Sequence, residues 1–295
     1  MDLTATQLSA YSRLFSSAVV RELAVKKKSA RFLRLAQESG VFDRVTCSAR
    51  VADVFDAAFD VLKQGGLRDA YIYKAALTHR VLLGTHNLKT ASMLTEFRTG
   101  QCKADIAILN GTATVYEIKS ERDSLARLTN QIQSYQRVFA KIFVIVGESH
   151  LAEVLKEAPS DVGIMSLSRR YRISTVREAI DRPDRICPLT VFESLRIAEA
   201  KDIVTRLGHT IPDVPNTEIH CALRSIFDGF EPTELHAAML ATLKKSRSLL
   251  SLSSLVESLP RSLQPAALTV PLRKADHQRL VAAIETPLAQ AREWA

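Results

Sequence analysis

The chain has 295 residues, of which 46% are hydrophobic, so it is long enough to form a substantial core in one large domain or two modest ones. No apolar run approaches the roughly 20 residues of a bilayer-spanning helix, so we expect no contact with a membrane. The N-terminal stretch lacks the pattern of a secretory signal, and we expect a cytoplasmic protein. The net charge of +8 favours a polyanionic partner.

The four cysteines are far apart in the sequence and form no CxxC pair. This spacing predicts neither a zinc ribbon nor a disulfide framework. We expect buried free thiols at Cys47, Cys102, Cys187 and Cys221.

The N-terminal part of the chain is predicted to be helical. Apolar residues recur at helical spacing between Leu8 and Val19 and between Val51 and Leu62, and a third helix is expected from about Asp69 to Leu83. We therefore expect residues 1–90 to form a helical region that packs on the core.

The pattern changes near Ser92 to short β-prone runs separated by the turn signals Thr99-Gly100 and Asn110-Gly111. A helical pattern and a continuous apolar run follow, which gives the order α-β-β-β-α-β for a core over residues 91–168. The predicted elements of this part are strands at 92–99, 103–109 and 112–119, a helix at 122–139, a strand at 141–147, a helix at 150–157 and a strand at 162–167.

Residues 169–295 are predicted to form a mainly helical C-terminal region. The sequences SRRYR, which begins at Ser168, and DRPDRICP predict a connecting region, and the serine-rich segment 246–262 is expected to be a surface excursion. The predicted helices of this region lie at 190–207, 217–227, 232–246 and 274–294.

The predicted catalytic residues are Asp105, Glu117 and Lys119. Metal-assisted hydrolysis of a phosphodiester needs carboxylates that hold Mg²⁺ and a cation near the water or the phosphate. Glu117 and Lys119 lie two apart on a strand, so their side chains leave the same face. The three residues therefore supply the required set if Asp105 shares that face.

The hairpin register decides whether Asp105 joins the other two. A two-residue turn at Asn110-Gly111 places Asp105 opposite Tyr116, on the wrong face. A three-residue loop with Gly111 in the left-handed region places Asp105 opposite Val115 and makes it a diagonal neighbour of Glu117. The chemistry favours the second register.

In these residues the sequence resembles the PD-(D/E)XK nuclease superfamily. Asp105 and Glu117-Ile118-Lys119 match its D…E-x-K signature, and Gln131 with Tyr135 matches the Q-x-x-x-Y motif of the RecB-like branch. The stretch from Glu96 to Tyr135 resembles a small bacterial family of poorly defined role. Ala104 stands where the superfamily name has proline.

The resemblance implies a restriction-endonuclease-like αβββαβ core and a bound Mg²⁺ or Mn²⁺. Its implied ligands are Asp105, Glu117, the Ile118 carbonyl and Glu96, although an exposed carboxylate is an open alternative for Glu96. Some RecB-like nucleases also hold an iron–sulfur cluster, which we do not expect here because the cysteines are not clustered.

The helix after the last strand of the meander carries the predicted nucleic-acid contacts. Arg127, Gln131 and Tyr135 recur every four residues on one helix face, where they can reach phosphate or base, although Tyr135 has the alternative of capping the core. In some relatives a histidine from the region of His79 and His86 adds a metal ligand, while His236 is expected at the surface.

These observations predict a metal-dependent nuclease that hydrolyses DNA. One alternative is a catalytically idle nucleic-acid-binding module. The other is a protein-interaction role in a mobile-element or phage-defence system, in which the C-terminal helical region binds the partner.

Overall fold

A computed structural model describes residues 3–294, which form a mixed α/β fold with one six-stranded open sheet. The strands are β1 (Ser92–Thr99), β2 (Cys102–Asn110), β3 (Thr112–Lys119), β4 (Lys141–Gly147), β5 (Gly163–Leu167) and β6 (Ile173–Arg177). The helices before the sheet are α1 (Ala5–Leu14), α2 (Ser17–Lys26), α3 (Ala30–Ser39), α4 (Val51–Leu62) and α5 (Ala70–Leu77), and α5 continues into a π-helical turn (Thr78–Leu82).

Two helices connect strands within the sheet, α6 (Leu128–Gln136) and α7 (Leu151–Glu157). Eight follow the sheet: α8 (Pro188–Ser194), α9 (Ile197–Arg206), α10 (Ile219–Asp228), α11 (Pro232–Ser246), α12 (Ser253–Ser258), α13 (Gln264–Thr269), α14 (Lys274–Ile284) and α15 (Leu288–Ala291). Short 3-10 turns lie at Val41–Arg44, Glu148–His150, Pro183–Arg185 and Leu250–Leu252.

The strands follow one another across the sheet in chain order. Strands β1, β2 and β3 form an antiparallel meander, β3, β4 and β5 run parallel, and β6 returns antiparallel to β5. The carboxyl ends of β3, β4 and β5 and the start of β6 therefore meet at one end of the sheet. The predicted bounds of β1 and β3 are confirmed, and the predicted α-β-β-β-α-β order is present from α5 to β4.

Helices cover both faces of the sheet. Helices α1–α5 and the segment from Leu255 to Trp294 pack on one face, and α6 with α8–α11 packs on the other. The last segment is tied to the N-terminal helices by backbone bonds from Val51 N–H to the Thr286 carbonyl and from Leu288 N–H to the Ala49 carbonyl. The C-terminal region is thus divided between the two faces and does not form one layer.

Several predicted helices are interrupted. The pattern from Leu8 to Val19 covers α1 and α2, because α1 ends at Leu14 and the Ser16 hydroxyl caps α2 by accepting from Val19 N–H. The predicted helix at 190–207 is likewise split into α8 and α9, and α14 ends before Pro287. The helical pattern before β4 is helical only from Leu128, because residues 120–127 form turns.

Two predictions about the later segments were wrong. The segment after Ser168, expected to be a connection, contains β6. The serine-rich segment, expected at the surface, contains α12 and buries Leu255, Val256 and Leu259 in the core. Within α12, Ser254 and Ser258 are exposed and Ser253 is half-buried, opposite the buried Leu255 and Val256, so the serine content of the segment gave no sign of this apolar side.

The cysteines are free thiols but not buried ones: Cys47 and Cys221 are exposed, and Cys102 and Cys187 are half-buried. Within residues 3–294, no helix combines the length and apolar character required to cross a bilayer.

Candidate active site

Glu117 and Lys119 lie at the carboxyl end of β3, and their side chains are on the α6 face of the sheet. Glu117 is 1% exposed and Lys119 is 4% exposed, and Lys119 Nζ lies 3.1 Å from Glu117 Oε1. Ile118 points to the opposite face and packs with the N-terminal helices. Both the shared face of the acid and the base and the core position of Ile118 follow from the period of two along a strand.

Asp105 lies across from Glu117 on β2. Pairing between β2 and β3 ends at Ile106 and Tyr116, and the next position in this register sets Asp105 opposite Glu117. Asp105 Oδ2 accepts a hydrogen bond of 2.9 Å from Ile118 N–H. The Asp105 carboxyl group therefore accepts from a backbone N–H that has no partner on β2, because the pairing of β2 with β3 has already ended.

The predicted hairpin register was wrong by two residues, although the predicted face was right. Asn110 pairs with Thr112, and Gly111 alone forms the tip with a φ of 71°. The left-handed conformation expected for Gly111 is confirmed. Because a shift of two residues preserves the period of the strand, Asp105 and Glu117 remain on one face and become direct neighbours.

Glu96 lies on β1, next to Asp105 of the cluster. Its neighbours Thr95 and Phe97 pair with Ile106 and Ala104, so Glu96 lies opposite Asp105, and its φ of 53° is in the left-handed region. Such a conformation is unfavourable for a residue with a Cβ and is typical of functional sites. Its side chain is 59% exposed and forms an ion pair of 3.3 Å with Lys74 of α5.

Helix α6 holds the cluster from the other side. Gln131 Oε1 accepts a bond of 2.7 Å from Lys119 Nζ, and the Tyr135 hydroxyl lies 2.7 Å from Glu117 Oε2 and 2.9 Å from the Lys103 carbonyl. Tyr135 has no exposed surface and so does not offer the nucleic-acid contact predicted for it. The alternative of a core position is the one observed, whereas Arg127 is exposed at the start of α6.

Burial governs the electrostatics of the cluster. Burial, followed by the charge of Asp105, raises the pKa of Glu117 from 4.5 to about 7. Burial also raises the pKa of Asp105, against the opposing effect of the bond from Ile118 N–H. Although Lys119 and Lys74 oppose this effect, the two neighbouring carboxyl groups therefore retain protons more strongly than exposed acids do.

The oxygen atoms of this cluster are ligands of the kind that Mg²⁺ prefers. Mg²⁺ prefers carboxylate and carbonyl oxygens and is commonly held by one or two carboxylates together with water. Asp105 and Glu117 supply two carboxylates whose mutual repulsion a divalent cation would relieve. Within residues 3–294, no group of three or more histidine, cysteine or acidic side chains is arranged to hold a metal ion, and the Glu96 carboxylate is paired with Lys74.

The histidines lie outside this cluster. His79 is buried, and its pKa is lowered to about 4 by burial, followed by the charge of Arg261. His86 contacts the side chain of Asn110 at the hairpin tip. His236, predicted at the surface, is buried and accepts a bond of 3.2 Å from Ala113 N–H.

Sequence reasoning missed two parts of the site. Lys74 lies on α5, and no motif links it to Glu96, so only the tertiary fold shows the pairing. The turn after Lys119 is fixed by Asp123 Oδ2, which accepts from Ser120 N–H at 2.9 Å and from the Ser120 hydroxyl at 2.6 Å. An acidic residue three positions after a serine is a recognisable signal for such a turn.

Residues 63–268 match the sequence profile of the family described as bacteriophage P4 protein cII. The chain belongs to this family. The matched segment includes every predicted site residue from Glu96 to Tyr135. Protein cII of Enterobacteria phage P4 is 34% identical over 122 residues, a match that spans 40% of this chain and 44% of that protein.

A solved structure, described as the SPO1766 protein of unknown function from Silicibacter pomeroyi, is 20% identical and covers 50% of this chain and 97% of its own, with a TM-score of 0.31. None of these descriptions names a chemical activity. The candidate site is therefore the basis for a function of this cII-family protein.

Proposed function

We propose that this cII-family protein is a metal-dependent nuclease that hydrolyses DNA phosphodiester bonds, built on a restriction-endonuclease-like αβββαβ core. The observation that carries the proposal is the convergence of Asp105, Glu117 and Lys119 at the point where β2 and β3 separate. The resemblance of D…E-x-K and Q-x-x-x-Y to PD-(D/E)XK nucleases supports the same reading.

In this proposal Asp105, Glu117 and the Ile118 carbonyl hold Mg²⁺ or Mn²⁺, and Glu96 assists from β1. A bound divalent ion supplies Lewis-acid activation of the phosphate and of a water molecule. The Lys119 ammonium, fixed by Gln131, orients the attacking water and stabilises negative charge on the phosphate oxygens. Tyr135 positions Glu117.

Access to the centre is from the side of β1. Exposure falls from Glu96, at 59% of its side chain, to Lys119 and Glu117, at 4% and 1%. A cavity of about 400 Å³ adjoins this open side and is lined by Arg21, Lys74 and Glu96 among others. We infer that a phosphate reaches the centre through this cavity, where Arg21 and Lys74 supply positive charge.

The burial of Glu117 and Lys119 also favours a second candidate, a catalytically idle nucleic-acid-binding module, because groups that never meet substrate can remain covered. A protein partner at the C-terminal helical region, within a mobile-element or phage-defence system, is compatible with either candidate. The two candidates differ in cleavage, which is directly measurable.

The test is a cleavage assay on circular and linear DNA with Mg²⁺, Mn²⁺ or EDTA, with Asp105→Asn as the matched control because an amide oxygen can still accept from Ile118 N–H. We expect cleavage with Mg²⁺ or Mn²⁺ that EDTA and the Asp105→Asn substitution abolish. Binding without cleavage under all conditions would assign the idle module.

A further inference from the structure

Three arginines line two cavities at the end of the sheet where the candidate centre lies. Arg80 follows α5 in the π-helical turn, Arg172 lies in the loop between β5 and β6, and Arg261 precedes α13. We call Arg80, Arg172 and Arg261 the arginine surface. The loop that carries Arg172 begins where β5 ends, and β5 runs parallel to β4 and β3, so it lies at the same end of the sheet as Lys119.

The larger cavity is a shaped site and not a flat patch. Its volume is about 450 Å³, and its walls come from α4, the π-helical turn, Tyr171 and the segment before α13. A second cavity, of about 280 Å³, is lined by Arg80, Arg172 and Ile173. Arg80 lines both cavities and joins them into one continuous surface.

The arginine surface carries uncompensated charge. All three arginines are exposed, and none forms an ion pair within residues 3–294. Guanidinium groups match phosphate oxygens with two parallel hydrogen bonds, which makes arginine well suited to phosphate. Free, clustered arginines in a protein of net charge +8 therefore point to a polyanion.

Two buried polar atoms in the wall of the larger cavity lack a hydrogen-bond partner of normal geometry. Within residues 3–294, the hydroxyl of Ser262 forms no hydrogen bond, and the Nε2 atom of His79 forms none of normal geometry, although the Arg261 backbone and the Gln264 side chain lie near the imidazole; the two residues are 1% and 8% exposed. Buried polar atoms in folded proteins are nearly always bonded to a protein group, water or ligand. A neutral imidazole and a hydroxyl can each donate to a phosphate oxygen, directly or through water.

The carboxylates in the wall of the 450 Å³ cavity determine where in it an anion can lie. Asp56 and Asp60 of α4 also line it, but Asp60 pairs with Lys63 at 2.6 Å, whereas Asp56 has no such partner within residues 3–294. An anion would therefore lie on the side of Arg80 and Arg261, away from Asp56.

We propose that the arginine surface binds the phosphate backbone of the DNA whose neighbouring segment occupies the candidate centre. This inference rests on the proposed function, because a DNA strand that passes the carboxyl ends of β3, β4 and β5 would meet both places. Electrostatic contact with the backbone positions the nucleic acid and carries no sequence information.

The test measures affinity for a fluorescein-labelled DNA duplex and single strand against salt, with Ca²⁺ replacing Mg²⁺ to suppress cutting. Alanine at each of Arg80, Arg172 and Arg261 should weaken binding several-fold and flatten the salt dependence by about one unit, the contribution of one phosphate contact. Asp56→Asn should strengthen binding. Arg224→Ala is the matched control, because Arg224 is an exposed arginine of α10 that forms no ion pair within residues 3–294 and lines neither cavity, and it should leave both quantities unchanged.

Cleavage by the wild-type protein in Mg²⁺ separates this inference from the proposed function. Wild-type cleavage together with unchanged affinity and salt dependence in all three variants would overturn the arginine surface alone. Weakened binding in the variants without any wild-type cleavage would support the arginine surface and remove the nuclease. Loss of binding to poly-glutamate, with DNA binding unchanged, would assign the surface to an acidic protein partner and overturn the proposal.

Discussion

The candidate centre and the arginine surface lie at the same end of the sheet and use charge in opposite ways. In the centre, Glu117 and Lys119 are almost fully buried and each is hydrogen-bonded to a residue of α6. In the arginine surface, the charged groups are exposed and have no acidic partner within residues 3–294. Burial makes charges interact strongly and couples them to folding, whereas exposure leaves them to act singly and to be screened by salt.

The largest effect is expected from the buried cation. Lys119→Met preserves the length of the side chain and removes its charge, so the stabilisation of the phosphate is lost, and cleavage should fall at least about 10²- to 10³-fold. The measurement is single-turnover cleavage in Mg²⁺, with circular dichroism to show that the variant is folded. A folded variant that cuts at the wild-type rate would remove Lys119 from the chemistry.

The buried acid should give the protein a distinct pH dependence. The pKa of Glu117 is about 7 in the folded protein and 4.5 when exposed, so the folded state binds more protons between these values. The free energy of unfolding should therefore fall as pH rises from about 4.5 to about 7, by at most about 3 kcal/mol, and then level off.

Urea unfolding of the metal-free protein across this pH range measures the effect. Glu117→Gln, which cannot ionise, should show a smaller slope against pH in that window. An equal slope in both proteins would mean that Glu117 does not retain its proton.

Two substitutions at Asp105 should separate charge from hydrogen bonding. Asp105→Asn removes the repulsion with Glu117 and keeps an acceptor for Ile118 N–H, so without metal near pH 8 it should raise the free energy of unfolding by about 1 kcal/mol. Asp105→Ala also removes the acceptor and should offset that gain by a similar amount. Thermal unfolding of the three proteins measures this order, which a destabilised Asp105→Asn would reverse.

The smallest effects are expected on α6, where Arg127 is exposed and Gln131 bonds to Lys119. Arg127→Ala should flatten the salt dependence of DNA affinity by about one unit. Gln131→Ala should leave that dependence unchanged and lower the cleavage rate, because it frees the Lys119 ammonium. Salt titrations in Ca²⁺ and single-turnover rates in Mg²⁺ measure the two effects, and identical behaviour of the two variants would remove this distinction.

The sequence predicted the parts of the fold that depend on local periodicity. The bounds of β1 and β3, and Asp105 on the face of Glu117, follow from the period of two along a strand. The ion pair of Lys74 with Glu96 and the backbone bond to Asp105 depend on how distant elements pack, which no local pattern encodes. The sequence left both a nucleic-acid contact and a core position open for Tyr135 for the same reason, since helical spacing shows which residues share a face but not whether that face is covered.

Strand β6 was not predicted because only its ends are partly buried and its central residues are exposed. The strand therefore lacks the alternation of buried and exposed residues that identifies a half-buried strand. The serine-rich segment was predicted at the surface because of its polar composition. It nevertheless contributes three apolar residues to the core under the N-terminal helices. Spacing therefore gave no signal at β6, whereas composition was misleading in the serine-rich segment.

Anomalous X-ray scattering from crystals soaked in Mn²⁺ tests whether Asp105 and Glu117 together hold a divalent cation. We expect an anomalous peak between the two carboxyl groups, within about 2.0–2.3 Å of an oxygen of each, as expected for a hard cation with oxygen ligands. The peak should disappear in Asp105→Asn crystals soaked in the same way. If saturating Mn²⁺ leaves this position without a peak, in crystals where the ion binds elsewhere on the protein, Asp105 and Glu117 do not form the metal site.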